Sequence, residues 1–339
     1  VSCLWVRLIV GSLLACFALL FYRFKGRFTL TERTSGVMQK KNSEPLPIFV
    51  YSSDYDMDLG PHVFPSVKFG FLYSRLVDNS KFKKHKFVEP EPLTPQEAAL
   101  VHSRAFLADL NSLTMSNRLH RSELPLNREI VDAFYLASGG TALAARLALE
   151  SGLAMNLSGG FHHSYADHAE GFCYLNDVAI SVRMLQKEKK IKRALIIDLD
   201  VHQGNGNAKI FHGDNTVFTF SMHEQNNYPV KEESDLDIGL ETGCRDEQYL
   251  TLLSQALKEI QEQFEPDLIY YLAGVDPYEH DRLGGISLTK RGMAERDRVV
   301  RDFLPGVPMV TLLAGGYAEN TLDTIDLHFQ TCEVLARFR

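Results

Sequence analysis

Cysteine is scarce and scattered. Five occur in 339 residues, Cys3, Cys16, Cys173, Cys244 and Cys332, an odd number at wide spacings with no C-x-x-C pair. That excludes a disulfide-framed module and a cysteine-rich zinc module, and it suits a reducing compartment. Basic charge is also short, 36 Lys+Arg against 43 Asp+Glu, for a formal net charge of -7. No global basic footprint exists, so direct nucleic-acid binding is not expected. The acidic balance suits a cationic partner such as a lysine-bearing peptide. Internal repeats and low-complexity tracts are missing too. With ordinary apolar (45%) and charged (23%) content, the chain reads as globular rather than disordered.

Acidic residues are absent before Glu32, and the one long hydrophobic run lies there. Leu4 to Tyr22, LWVRLIVGSLLACFALLFY, is broken only by Arg7 and is followed by Arg23, Lys25 and Arg27. Its length approaches the ~20 residues that span a bilayer. As a transmembrane helix it would associate with the membrane through 4–22 and hold the following domain on the cytosolic side. A cleaved signal, an organellar presequence and a gene-model artefact are the competing readings. Without the anchor, the expectation is cytoplasm or nucleus. Residues 1–27 are therefore set apart as a hydrophobic N-terminal segment, 28–45 as a polar linker, and 46–335 as the catalytic domain.

Within that domain, apolar strand-like runs alternate with helix-forming stretches. The strands are RALIIDLD, VFTFS, DLIYYLAG and MVTLLAGG. Helices are expected from Asn176 to about 189, from Asp246 to about 264 and from Thr289 to about 304. Another should run through the alanine-rich GTALAARLALESG to Gly152. TPQEAALVHSRAFLADL opens with a capping box, Thr94 and Glu97, with Pro95 between them. Such alternation predicts a single α/β domain, a multi-stranded, mainly parallel sheet with helices on both faces.

In open parallel sheets, function collects at the carboxyl ends of the strands. Those ends carry SGGFHH (158–163), DLDVHQGNG (198–206), AGVDP with Asp276, and LLAGGY with Tyr317. Read as extended chain, DLDVH places Asp198, Asp200 and His202 on one face. An Asp-x-His pair offers oxygen and nitrogen to one ion, and Asp276 could add a third ligand from a neighbouring strand. Three N/O ligands with an open position suit a catalytic zinc. Alone, such strand-end carboxylates are usually turn and salt-bridge residues. Their joint occurrence with two adjacent histidines and a tyrosine turns the balance.

GGFHH…GFCYLND, IDLDVHQGNG, SMHEQNNYP, AGVDP and LLAGGY resemble, in the same order, the zinc-dependent histone deacetylase family. The resemblance runs from about Leu46 to His328. HVFPSVKFG near its start and Gln203 after His202 look most like the class IV branch and its bacterial relatives. The resemblance implies the arginase/deacetylase fold and a zinc ion on Asp200, His202 and Asp276. It implies that Tyr317 donates to the oxyanion, with His162 and His163 at the water and the leaving amine. Asp198 should partner His162 and Asn205 should partner His163. A carboxylate favours imidazolium and an amide does not, so His163 is expected as general base and then acid, with His162 mainly electrostatic. Gly171, Phe172 and Tyr228 match the channel for the acyl-lysine stem. Potassium (K+) is implied on the backbone carbonyls of Asp198, Asp200, His202, Ser221 and Met222.

The implied activity is zinc-dependent (Zn2+) removal of an acyl group from lysine in a protein or peptide. An acetylpolyamine-type amidohydrolase stays open, because loop shape decides it. An arginase-type binuclear site lacks the further ligands it would need. A non-catalytic scaffold is opposed by the complete set of ligands, histidines and tyrosine.

Overall fold

Eight parallel strands form one sheet in the order β2-β1-β3-β8-β7-β4-β5-β6. They are β1 (Ile48–Val50), β2 (Lys86–Val88), β3 (Leu153–Asn156), β4 (Ala194–Asp198), β5 (Val217–Glu224), β6 (Leu236–Leu240), β7 (Leu268–Leu272) and β8 (Met309–Leu312). The computed structural model describes residues 46–336. Nine α-helices accompany the strands among the described residues: α1 (Lys68–Asp78), α2 (Pro95–Ala98), α3 (Arg104–Asn111), α4 (Arg128–Ser151), α5 (Asp177–Lys187), α6 (Asn205–Phe211), α7 (Asp246–Gln263), α8 (Lys290–Arg301) and α9 (Thr321–Leu335).

The central strands are buried on both faces, which is why they read as continuous apolar runs rather than alternating ones. Alternation reappears in what each residue touches. Ile196, Tyr270, Leu272, Val310 and Leu312 join α4, α5 and α6 in one hydrophobic cluster. Leu195, Ile197, Ile269, Tyr271 and Met309 join α1, α7, α8 and α9 in the other. The α/β domain with helices on both faces is thus as expected.

Asn127, Asn176 and Thr289 cap α4, α5 and α8 through their side chains, and Gly152 ends α4 with φ 82°. The capping box at Thr94 is present, but it opens a short helix. The stretch expected as one helix is two, because Ser103 is extended and its hydroxyl restarts the chain as α3. His102 at the break is buried, with Nδ1 3.0 Å from the Tyr165 carbonyl oxygen and Nε2 accepting the Asn176 N–H at 3.0 Å. Strands β1 and β2 are only three residues long. Edge strand β6 (LDIGL) is half-exposed, so none of the three has the buried apolar run that marks the others.

The expected transmembrane helix, and the membrane-anchored location that rested on it, are corrected. Among the described residues no helix is long and apolar enough to cross a membrane. The two longest, α4 and α7, carry charges along their length, including Arg128, Asp132, Arg146, Asp246, Lys258 and Glu262. Segment 4–22, with the rest of 1–27 and the linker 28–45, lies outside the described residues.

Candidate active site

Four adjacent strands, β3, β8, β7 and β4, deliver the histidine pair, Tyr317, Asp276 and the DLDVH residues from their carboxyl ends. β4 stops at Asp198, and the chain beyond it is not extended. Asp198 Oδ1 accepts the Asp200 N–H (3.2 Å), and Asp200 Oδ1 accepts the His202 N–H (3.0 Å). These aspartates bond to their own backbone two residues on, the Asx-turn habit of that side chain. The strand reading of DLDVH therefore fails after Asp198. Even so, Leu199 and Val201 are buried in the core while Asp200 and His202 meet.

From β7, Asp276 Oδ1 accepts the Val201 N–H at 2.9 Å. Its other oxygen, Oδ2, lies 3.3 Å from His202 Nδ1 yet accepts no hydrogen bond, although Asp276 is fully buried. Ligating atoms of Asp200, His202 and Asp276 all lie within 4.8 Å of one another. Burial, with the Asp200 charge beside it, pushes the Asp276 carboxyl up to about 7. Burial opposes a charge on His202, but the hydrogen bond to Asp200 and the neighbouring Asp276 carboxylate outweigh it and raise the imidazole to about 10. An orphaned carboxylate oxygen in a buried cluster with an excess of negative charge fits a divalent cation, and two oxygens with one imidazole nitrogen fit zinc. For potassium, Asp198 stands opposite Ser221 in the β4–β5 register, and Met222 follows on β5. The geometry described does not single out their carbonyls, or those of Asp200 and His202, as ion ligands.

The histidine segment follows β3. Asp177, at the start of α5, accepts the Gly160 and Phe161 N–H groups (2.9 and 2.7 Å) and pins the turn before the pair. His162 Nδ1 lies 2.7 Å from Asp198 Oδ2, and His163 Nδ1 lies 2.7 Å from Asn205 Oδ1. Asn205 is oriented by its own amide, which donates to Glu170 (2.8 Å) and to the Tyr165 hydroxyl (3.0 Å). Its oxygen therefore faces His163, which must donate through Nδ1 and keeps Nε2 as an acceptor. Burial disfavours charge on both rings. For His162 the Asp198 and Asp200 carboxylates outweigh that and raise it to about 9. For His163 the charges of His162 and His202 add to burial and hold it well below its usual value.

Tyr317 sits on the loop after β8. Gly315 N–H donates to Asp200 Oδ2 (2.8 Å), and Tyr317 N–H donates to Asp281 Oδ2 (2.6 Å). Burial and the nearby Asp200 and Asp276 charges keep the tyrosine hydroxyl protonated far above its usual range. Lys68, wholly buried on α1, donates from Nζ to the Ala314 carbonyl at 2.9 Å.

A cavity of about 190 Å³ opens onto this floor, with His163, His202 and Tyr317 at its base. Gly171, Phe172 and Tyr228 line it as expected, and Glu123, Asn227 and Leu283 line it without having been foreseen. Gly171 has φ +52°, and a Cβ there would stand 2.5 Å from His163 Cδ2 and 2.8 Å from the Tyr228 hydroxyl, so only glycine fits. His62 packs its ring on Phe172 at 4.7 Å. Asp281, Asp177 and Lys68 were likewise missed. Lys68 left a trace as a lone cation in the aromatic stretch HVFPSVKFG, and Asp177 as the last residue of GFCYLND.

Geometry and order of motifs together define the arginase/deacetylase fold. The profile of the histone deacetylase domain matches residues 62–331, and the chain belongs to the histone deacetylase family. It is 40% identical to an uncharacterized protein of Picosynechococcus sp. over 284 residues, which span 82% of this chain and 95% of that one. It is 31% identical to Histone deacetylase 2 of Arabidopsis thaliana, over 81% of this chain and 76% of that one. Histone deacetylase RPD3 of Saccharomyces cerevisiae is 28% identical, over 80% and 70%.

Proposed function

We propose that residues 46–335 form a zinc-dependent hydrolase that removes an acyl group from the ε-amine of lysine in proteins or peptides. The observation that carries this reading is the meeting, at the base of one channel, of a three-residue metal cluster, a neutral histidine with an open nitrogen and a protonated tyrosine. Asp200, His202 and Asp276 would hold zinc, which would supply a Lewis acid and lower the pKa of a water.

The chain's own groups do the rest. His163, neutral and holding its proton on Nδ1, takes a proton at Nε2 from the attacking water and passes it to the departing lysine nitrogen. His162, kept as imidazolium by Asp198, contributes fixed positive charge. The Tyr317 hydroxyl donates to the carbonyl oxygen as negative charge develops there. Phe172 and Tyr228 bracket the apolar lysine stem, and the Gly171 carbonyl accepts the substrate amide N–H.

Within the family we place the chain nearest the class IV branch and its bacterial relatives. The HVFPSVKFG stretch and Gln203 after His202 support this.

The test is hydrolysis of a matched series of acyl-lysine peptides, acetyl through myristoyl, beside acetylated polyamines, by zinc-loaded protein and by Tyr317→Phe. Peptide turnover that falls about 10²- to 10³-fold in the variant supports the reading, and the preferred chain length names the acyl group. Turnover of polyamines alone replaces the substrate class. No turnover with zinc bound at one equivalent means a binding protein on this fold.

A further inference from the structure

Beneath the metal-ligand cluster lies a buried cation that the mechanism does not use. Arg296 on α8 is fully buried, a costly place for a guanidinium unless each edge has a task. Two of its nitrogens face Asp297, Nε at 2.9 Å and Nη2 at 2.8 Å from the same oxygen. Asp297 is held in turn by the Tyr271 hydroxyl (2.5 Å) and the Thr331 hydroxyl (2.7 Å). Of these two only Nε makes a hydrogen bond, and neither contact draws on the third nitrogen. Nη1 instead donates to the Gly274 carbonyl at 2.6 Å and, at a longer 3.4 Å, to the Leu199 carbonyl.

Those two carbonyls are not ordinary ones. Leu199 immediately precedes Asp200, and Gly274 stands two residues before Asp276. The β4–β7 ladder ends at the Asp198–Leu272 pair, followed by the bond from Leu199 N–H to the Leu272 carbonyl (3.1 Å). Past that point the backbone ladder no longer sets the distance between the two strand ends. They are also in close contact there, since a Cβ on Gly274 would lie 2.5 Å from Asp200 Oδ2. A planar fork with fixed geometry suits such a bridge better than a flexible ammonium.

We propose that Arg296 is a positioning residue that ties the ends of β4 and β7 and thereby sets the separation of Asp200 and Asp276. The inference rests on reading those residues, with His202, as the metal ligands. Asp297 and Thr331 anchor the fork from below, so α8 and α9 support the site although neither reaches the cavity.

The experiment measures Zn2+ affinity by chelator competition on the metal-stripped full chain. The variants are Arg296→Met/Asp297→Asn, which removes both buried charges together, and Arg296→Lys, which keeps the charge and gives up the planar fork. Unfolding cooperativity and near-UV circular dichroism establish that each is folded. The expected result is a loss of zinc affinity of at least about fivefold in the folded double variant, toward the ~10- to 100-fold seen for outer-shell partners of metal ligands. Arg296→Lys should recover part of it, and kcat should fall with KM within about twofold. A smaller loss in the folded double variant overturns the proposal. Should the double variant not fold, Arg296→Lys decides by the same fivefold threshold. Wild-type protein that takes up no zinc overturns the hydrolase reading itself, whereas wild-type uptake matched by the variants overturns only the role of Arg296.

Discussion

The floor and the mouth of the channel are built on different principles. At the floor, Asp198, Asp200, His202, Asp276 and both histidines are almost wholly buried, and nearly every polar atom has a named partner. At the mouth, Tyr228 is 41% exposed. The floor is over-determined, so its groups hold one protonation pattern and one geometry. The mouth faces solvent. Under the proposed function the contrast would separate chemistry from selection, with the floor specifying a reaction and the rim choosing what reaches it.

The histidines give the sharpest test of the floor. His163→Ala should lower kcat by about 10²- to 10⁴-fold, the range for loss of a general base. His162→Ala should cost less, since its task is a fixed charge. Steady-state kinetics on one acyl-peptide compares the two, and the reverse order would break the division of roles.

Acidity probes the same pair more gently. A general base works only unprotonated, and burial with neighbouring charges holds His163 well below its usual pKa. As pH falls through 6.5, kcat/KM should therefore persist and be lost only at lower pH. An acid limb at or above 6.5, in protein that still holds its zinc across that range, would show that His163 is not the base or is not held neutral.

The smallest effect belongs at the rim. Tyr228→Ala should raise KM about two- to fivefold and leave kcat within about twofold, because a half-exposed ring binds ground and transition states alike. A large fall in kcat would move Tyr228 from wall to machinery.

Legibility in the sequence followed the same division. Central strands were visible because burial on both faces requires apolar runs, and α5, α7 and α8 because Asn176 and Thr289 cap two of them and acidic residues open the third. The metal ligands, both histidines and Tyr317 stood out as chemistry-bearing residues at successive strand ends. Glu123, Asn227 and Leu283 did not, since loops with no common period carry them to the channel. Asp281 and Arg296 were equally silent. Each is one charged residue among many, distinguished only by the backbone groups it meets. The break between α2 and α3 was hidden too, because Ser103 is compatible with helix interior or cap until His102 is seen to be buried.

The order of motifs along this chain determined the family, the sheet with helices on both faces and the residues able to hold a metal, because apolar pattern and side-chain chemistry are local properties. Tertiary structure decided the rest: which nitrogen of His163 stays open, which carboxylate oxygen of Asp276 lacks a partner, and what lines the mouth. Those depend on distances between atoms that lie tens to hundreds of residues apart in the chain, and only packing sets them.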